Sequence, residues 1–211
     1  MDLIDLIESR RFLGRELLTW LWFESELGEG HVASSVLGQV PLWLESHITL
    51  EDQVTDKEQS RLRGEAPSGS PEAREALRQG KLPTQARLRI ERGEQAFGFV
   101  LAADTLALSS VSIPALLKEE GDERAAERMH LIEELEAILA TLYADFLALR
   151  LSPAWETVAV PALRAWSRGE TIDEAAYRKA RRAAVPIGKK AASKAAPKAE
   201  KSASPRVAPS P

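Results

Sequence analysis

The spacing of apolar positions changes along the chain, and each change marks a boundary between elements. Residues 3 to 27 carry apolar side chains at helical spacing, with Gly14 a weak point that divides the helix into two pieces. In its second half, RELLTWLWFESEL, Leu17, Leu18, Trp20, Leu21, Trp22 and Phe23 project around most of the circumference. A helix with one core-facing stripe keeps its other side polar, so this one must be covered on more than one side. The cover is either its own domain or a partner, which makes Trp20, Trp22 and Phe23 candidate interface residues.

After a turn at Gly28 and Gly30 the period falls to two. Val40, Leu42 and Leu44 alternate with Pro41, Trp43 and Glu45, and Pro41 places this strand at an edge or at a strand start. A second strand is predicted over 60–64. Ser70-Pro71 supplies an N-cap and a first-turn proline, and Gly80 a stop, for a short helix over 72–79. Ala86, Leu88 and Ile90 then alternate with Gln85, Arg87, Arg89 and Glu91. Gly93 turns the chain, Phe97, Phe99 and Leu101 alternate on the return, and residues 105–111 add a third strand. The pattern is an antiparallel meander with one wet face.

The last third is helical. Asp122 is placed to cap a long helix in which Met129, Ile132, Leu135, Leu139, Leu142, Phe146 and Leu149 recur every three or four residues. Ser152-Pro153 ends it and starts another helix carrying Trp155 and Trp166. Thr171-x-x-Glu174 has the form of a capping box for a final short helix ending near Val185-Pro186. The remainder of the chain is rich in Lys, Ala, Pro and Ser, cannot bury a core and is expected to be disordered. The fold class is therefore α+β: a mostly antiparallel sheet, an N-terminal Trp-rich helix and a C-terminal helical section. It is assigned to residues 1–185, with a disordered basic tail over 186–211.

Charge sharpens this division. The chain carries −4 overall, yet residues 187–211 hold six basic side chains against Glu200 alone, leaving −9 on residues 1–186. An acidic body with a basic tail suggests an anionic partner for the tail. The opening MDLIDLIESRR has neither the basic nor the apolar region of a secretory leader. The apolar run near residues 17–23 falls well short of the roughly 20 residues a membrane span requires. No cysteine is present, which excludes disulfides and thiolate zinc sites. These features predict a cytoplasmic protein without membrane association.

Catalytic chemistry has no carrier in this sequence. His31, His47 and His130 are far apart. Glu127-x-x-His130 has the one-face spacing of di-iron bundles, but no second such pair exists, and a surface helix pair is the favoured reading. Glu133, Glu134 and Glu136 read as a solvated helix face. There is no phosphate loop, dinucleotide fingerprint or nucleophile elbow; Gly28 and Gly30 lack the third glycine and the helix. No cofactor or metal is therefore expected, and the protein is read as not an enzyme.

Two basic features remain. Lys189, Lys190, Lys194, Lys198 and Lys201, spaced by Ala, Pro and Ser, can follow a phosphate backbone without reading sequence; the alternative is a solubilising tail. Arg87 and Arg89 point the same way from their strand, with Lys81 before them and Arg61 and Arg63 on a neighbour. Together these form a candidate DNA-binding set, against the reading that the arginines merely pair with Glu91 and Glu94.

One family resemblance joins these blocks. Phe12-Leu13-Gly14-Arg15-Glu16-Leu17-Leu18-Thr19-Trp20-Leu21 resembles the start of the C-terminal half of the recombination-associated RdgC proteins, where a threonine-tryptophan helix precedes a short sheet. Glu72-Ala73-Arg74-Glu75-Ala76-Leu77-Arg78-Gln79-Gly80-Lys81, then Thr84 and the strand over 86–90, is similar to that family's helix, Gly-Lys and meander. The helix over 124–149 sits where the family has its closing helix, so the resemblance covers roughly residues 11–152. It implies a non-catalytic protein that binds duplex DNA without marked sequence preference, as a ring-shaped dimer, and restrains recombinase filaments. The family's N-terminal half has no counterpart here, so a homodimer or a partner subunit supplying that half is implied. The helices after Ser152 and the basic tail are additions to the family pattern. The expected function is sequence-independent DNA binding through the phosphate backbone, linked to recombination or the nucleoid. The alternative is a scaffold subunit whose Trp helix binds a protein partner.

Overall fold

In the computed structural model, which describes residues 3–52, 59–64, 67–118 and 120–185, the first helix is unbroken: α1 (Leu3–Leu27). Gly14 does not divide it. A methyl group there would sit 1.8 Å from the carbonyl oxygen of Ala103, so glycine is required because another stretch of backbone rests directly on the helix.

Six antiparallel strands form the sheet: β1 (His31–Ser34), β2 (Gly38–Glu51), β3 (Gln59–Arg63), β4 (Leu82–Arg92), β5 (Gln95–Ala102) and β6 (Leu108–Ser112). The order is β1-β2-β4-β5-β6, with β3 on β2. β2 is long enough to hold β1 beside its first half and β3 beside its second, both on the side away from β4. It is thus a central strand, and of the edge and the strand start that Pro41 suggested the second holds, since Pro41 lies just before the pairing with β4 begins. Leu42 sends its N–H toward β1, to the Gly30 carbonyl at 2.9 Å. In an alternating strand the Pro41 nitrogen then faces the β4 side, where pairing begins only at Leu42.

One face of the sheet is apolar. Leu42, Leu44, Ile48, Leu50, Ala86, Leu88, Ile90, Phe97, Phe99 and Leu101 are all buried there, and α1 lies against β1, β2 and β4. The far side of α1 meets the other helices. Trp20 packs on Phe146 of α3 (Gly121–Arg150), and Trp22 and Phe23 meet Trp166 of α4 (Val160–Arg168) edge-on. Phe23 also meets Tyr177 of α5 (Glu174–Ala184) at 5.0 Å between ring centres. The result is three layers: sheet, α1, then helices. The middle layer explains why α1 is apolar all round.

The short helix α2 (Pro71–Arg78) is capped by Ser70, whose hydroxyl accepts the Ala73 N–H. α3 buries Leu131, Leu135, Ile138, Leu142, Phe146 and Leu149, a stripe shifted from the one its sequence suggested. Met129 is 62% exposed because the first turns of α3 run beyond the packed body. Glu120, not Asp122, occupies its N-cap, without a side-chain bond. A single π turn, Trp155–Ala159, leads into α4. At α5 the cap is Asp173, whose carboxylate accepts the Ala176 N–H at 2.9 Å, so Thr171 does not form a capping box.

Candidate functional site

The helices leave the other face of the sheet uncovered among the described residues. Side chains at alternate positions stand on it: Trp43 and Glu45 from β2, Arg87, Arg89 and Glu91 from β4, and Arg61 and Arg63 from β3. Along β5 the same face carries Ala96, Gly98 and Val100. Val100 is 4% exposed and stands apart from the core; its register partners Arg87 and Ser109 flank it. At Gly98 a methyl group would lie 3.1 Å from Nη2 of Arg87, a tight contact with the end of that side chain. The Arg87 guanidinium therefore reaches over the β5 backbone.

A bulge shapes the centre of this face. Glu45 pairs with Arg87 and Ile48 with Ala86, so β2 carries two residues, Ser46 and His47, that β4 does not match. Ser46 has φ 44°, a left-handed conformation uncommon outside glycine, and its carbonyl accepts the Gly64 N–H at 3.0 Å. His47 stays in register with Arg63. Partial burial and the nearby Arg87 and Arg63 charges hold its imidazole below the usual histidine pKa. It is therefore mostly neutral at neutral pH.

The arginines of this face divide by partner. Arg89 pairs with Glu91 at 2.6 Å and Glu45 at 3.5 Å, which makes it the solvated ion pair that its neighbours in sequence suggested. Arg61 donates to Gln59 at 3.0 Å. Among the described residues, Arg61, Arg63 and Arg87 have no carboxylate partner, and Arg128, Arg164 and Arg182 share this property on separate helices. Only on the sheet do three such groups share one face. Arg61 and Arg63 neighbour β2, not the Arg87 strand, so the bulged His47 lies between the two sets.

Other predicted positions fall elsewhere. Lys81 does not join the basic face. The turn at Gly80 (φ 85°) folds the chain back after α2, leaving Lys81 9% exposed with Nζ 3.3 Å from the Ser60 hydroxyl. Lys189, Lys190, Lys194, Lys198 and Lys201 lie outside the described residues. Trp20, Trp22 and Phe23 are 0% exposed, covered by the chain's own sheet and helices, so they offer no interface to a partner. Glu127 accepts the backbone N–H groups of Leu117 and Lys118, both at 2.9 Å, which holds its carboxyl below the usual range. His130 is exposed, and no group of metal-ligating side chains forms among the described residues. No described helix is long and apolar enough to cross a membrane.

The most deeply buried ionisable groups serve the core. Trp20 donates to the Tyr177 hydroxyl at 3.1 Å, and that hydroxyl donates to Glu24. Arg181 donates to Glu24 at 2.7 Å and to the Ala33 carbonyl. Burial pushes Glu24 above the usual carboxylate range against the pull of Arg181, and raises Tyr177 well above its own. Glu26 repeats the design one turn-edge away: it accepts from Trp22 and Trp166, each at 2.7 Å, and from Arg74. These bonds tie α2, α4 and α5 to α1.

His47 and Trp43 are the site residues that the sequence reading did not select. Their signal was present: Leu44, Ile48 and Leu50 keep one parity across Ser46-His47, since a two-residue bulge preserves the phase of alternation. No protein-family model matches the chain, and no curated protein matches it.

Proposed function

We propose that the protein is a non-catalytic, sequence-independent DNA-binding protein, linked to recombination or nucleoid function, whose open sheet face and basic tail both contact phosphate. The observation that carries this reading is the grouping of Arg61, Arg63 and Arg87 on one uncovered face without carboxylate partners among the described residues. The fourth arginine of this face, Arg89, is neutralised beside them. Arginine presents a planar fork suited to phosphate. Contacts confined to phosphate position a protein without specifying sequence. The resemblance of residues 11–152 to RdgC proteins supports the same reading. The acidic body restricts binding to this face and the tail, so the nucleic acid would meet like charge elsewhere. A scaffold role through Trp20, Trp22 and Phe23 is less well supported, because the domain itself buries those side chains.

The test is retardation of a random-sequence duplex by the whole chain over a series of salt concentrations. Binding at low salt that weakens steeply with added salt, and is equal for unrelated sequences, is the expected result. Absence of binding at low salt would overturn the reading.

A further inference from the structure

We propose that Arg63, His47 and Arg87 form a phosphate track across the strands, in which the backbone of a bound nucleic acid is held by the two guanidinium groups and by His47 as an imidazolium. The track rests on the DNA reading above and adds a ligand and a proton to it. Arg63 on β3 and Arg87 on β4 flank β2, two strand spacings apart, or about 10 Å. The bulge places His47 between them, and the left-handed Ser46 is strain that a simple ladder would not require. The Arg87 guanidinium lies beside Gly98 of β5, where no side chain stands in its way.

Charge around His47 explains why the proton matters. From β3 it faces Arg63 and Arg61, and from β4 Arg87 and Arg89. Its own strand supplies Glu45, already engaged by Arg89, as is Glu91 on β4. The Ser46 hydroxyl lies 3.5 Å from Nδ1. The outer face of β5 offers no titratable group, since it carries Ala96, Gly98, Val100 and Ala102. Unbound, the imidazole sits among cations that oppose its protonation. A phosphate backbone laid across Arg63, His47 and Arg87 reverses the local sign and favours the imidazolium. Binding must then take up a proton, and the phosphodiester itself does not titrate in this range.

The test measures affinity of the whole chain for a random duplex between about pH 5 and 8, where an imidazole titrates, with His47→Gln alongside. One proton linked to binding tightens affinity up to about tenfold per pH unit within the window between the free and bound pKa values. The unaltered chain should bind more tightly as pH falls. His47→Gln should show no such gain as pH falls. Equal pH dependence in both proteins, or none in the unaltered chain, would overturn the track. If no duplex binds at any pH, the DNA reading fails, and inorganic sulfate decides the track separately. Sulfate keeps its charge through this range, so an upward shift of the His47 ring titration by nuclear magnetic resonance supports an oxyanion seat. An unmoved titration overturns it.

Discussion

At the scale of single residues, three positions report on how the layers fit. Gly14→Ala would raise helix propensity by about 1 kcal/mol in a free helix. Here the added methyl meets the Ala103 carbonyl, and nothing but a main-chain shift relieves that overlap. Thermal unfolding should therefore show a loss at or above the ~1–3 kcal/mol of an overpacked core; a gain in melting temperature would mean that the helix and the turn at Ala103 are not in contact. Trp20→Ala empties a fully buried site between the sheet and α3, so stability should fall by about 3–5 kcal/mol. The mass in solution should not change, because the chain's own sheet and helices cover that side chain. Tyr177→Phe keeps the ring against Phe23 but leaves the Trp20 N–H and the Glu24 carboxyl without their shared hydroxyl. Denaturant unfolding should register about 1–3 kcal/mol, the penalty for buried polar groups left unsatisfied.

At the scale of elements, what the sequence disclosed depended on whether a local pattern was enough. The meander was legible because Ala86, Leu88 and Ile90, then Phe97, Phe99 and Leu101, alternate without interruption around Gly93. The double cover of α1 was legible too, since no single face can bury Trp20, Trp22 and Phe23 together. The open choice between a partner and the domain itself was settled by α3, α4 and α5, whose docking depends on distant partners. The α3 stripe was misjudged because Met129 has helical spacing but lies where the helix leaves the body, and because the buried face runs through Leu131 and leaves Ile132 only half-buried beside it. In the candidate site, Arg87 was legible as an outward strand residue. Lys81 was misplaced because a turn at Gly80 decides its direction, and His47 was missed because two polar residues hid a continuing strand. The α5 cap offers a direct test of one such correction. Asp173→Ala should cost about 1 kcal/mol by loss of the bond to Ala176, and Thr171→Ala far less; the reverse order of melting temperatures would restore the capping box.

At the scale of the whole molecule, the proposed DNA binding would draw on two kinds of phosphate contact. The sheet would supply guanidinium groups; the tail, lying outside the described residues, would supply lysines without aromatic groups to stack on bases. Both would add to the salt dependence of binding, which scales with the phosphates neutralised, at about −0.9 per contact on duplex DNA. Neither set should create sequence preference. Trp43 gives an independent view of the face, since the other four tryptophans are buried and only this one is partly exposed. Bound duplex should protect its fluorescence from a soluble quencher, and undiminished quenching in the complex would place the DNA elsewhere.

The most direct measurement is the logarithmic salt slope for random duplex, compared among the full chain, a chain ending at Pro186, and the full chain with Arg61, Arg63 and Arg87 all changed to Gln. The three arginines stand on the uncovered sheet face and lack ion-pair partners among the described residues, so the fold and melting temperature should be retained. The substituted chain should bind more weakly with a slope shallower by about 2–3 units, three contacts at 0.9 each. The shortened chain should also lose slope while keeping its melting temperature. A slope unchanged by the three substitutions, in a protein that remains folded, would contradict a DNA-binding role for the sheet face.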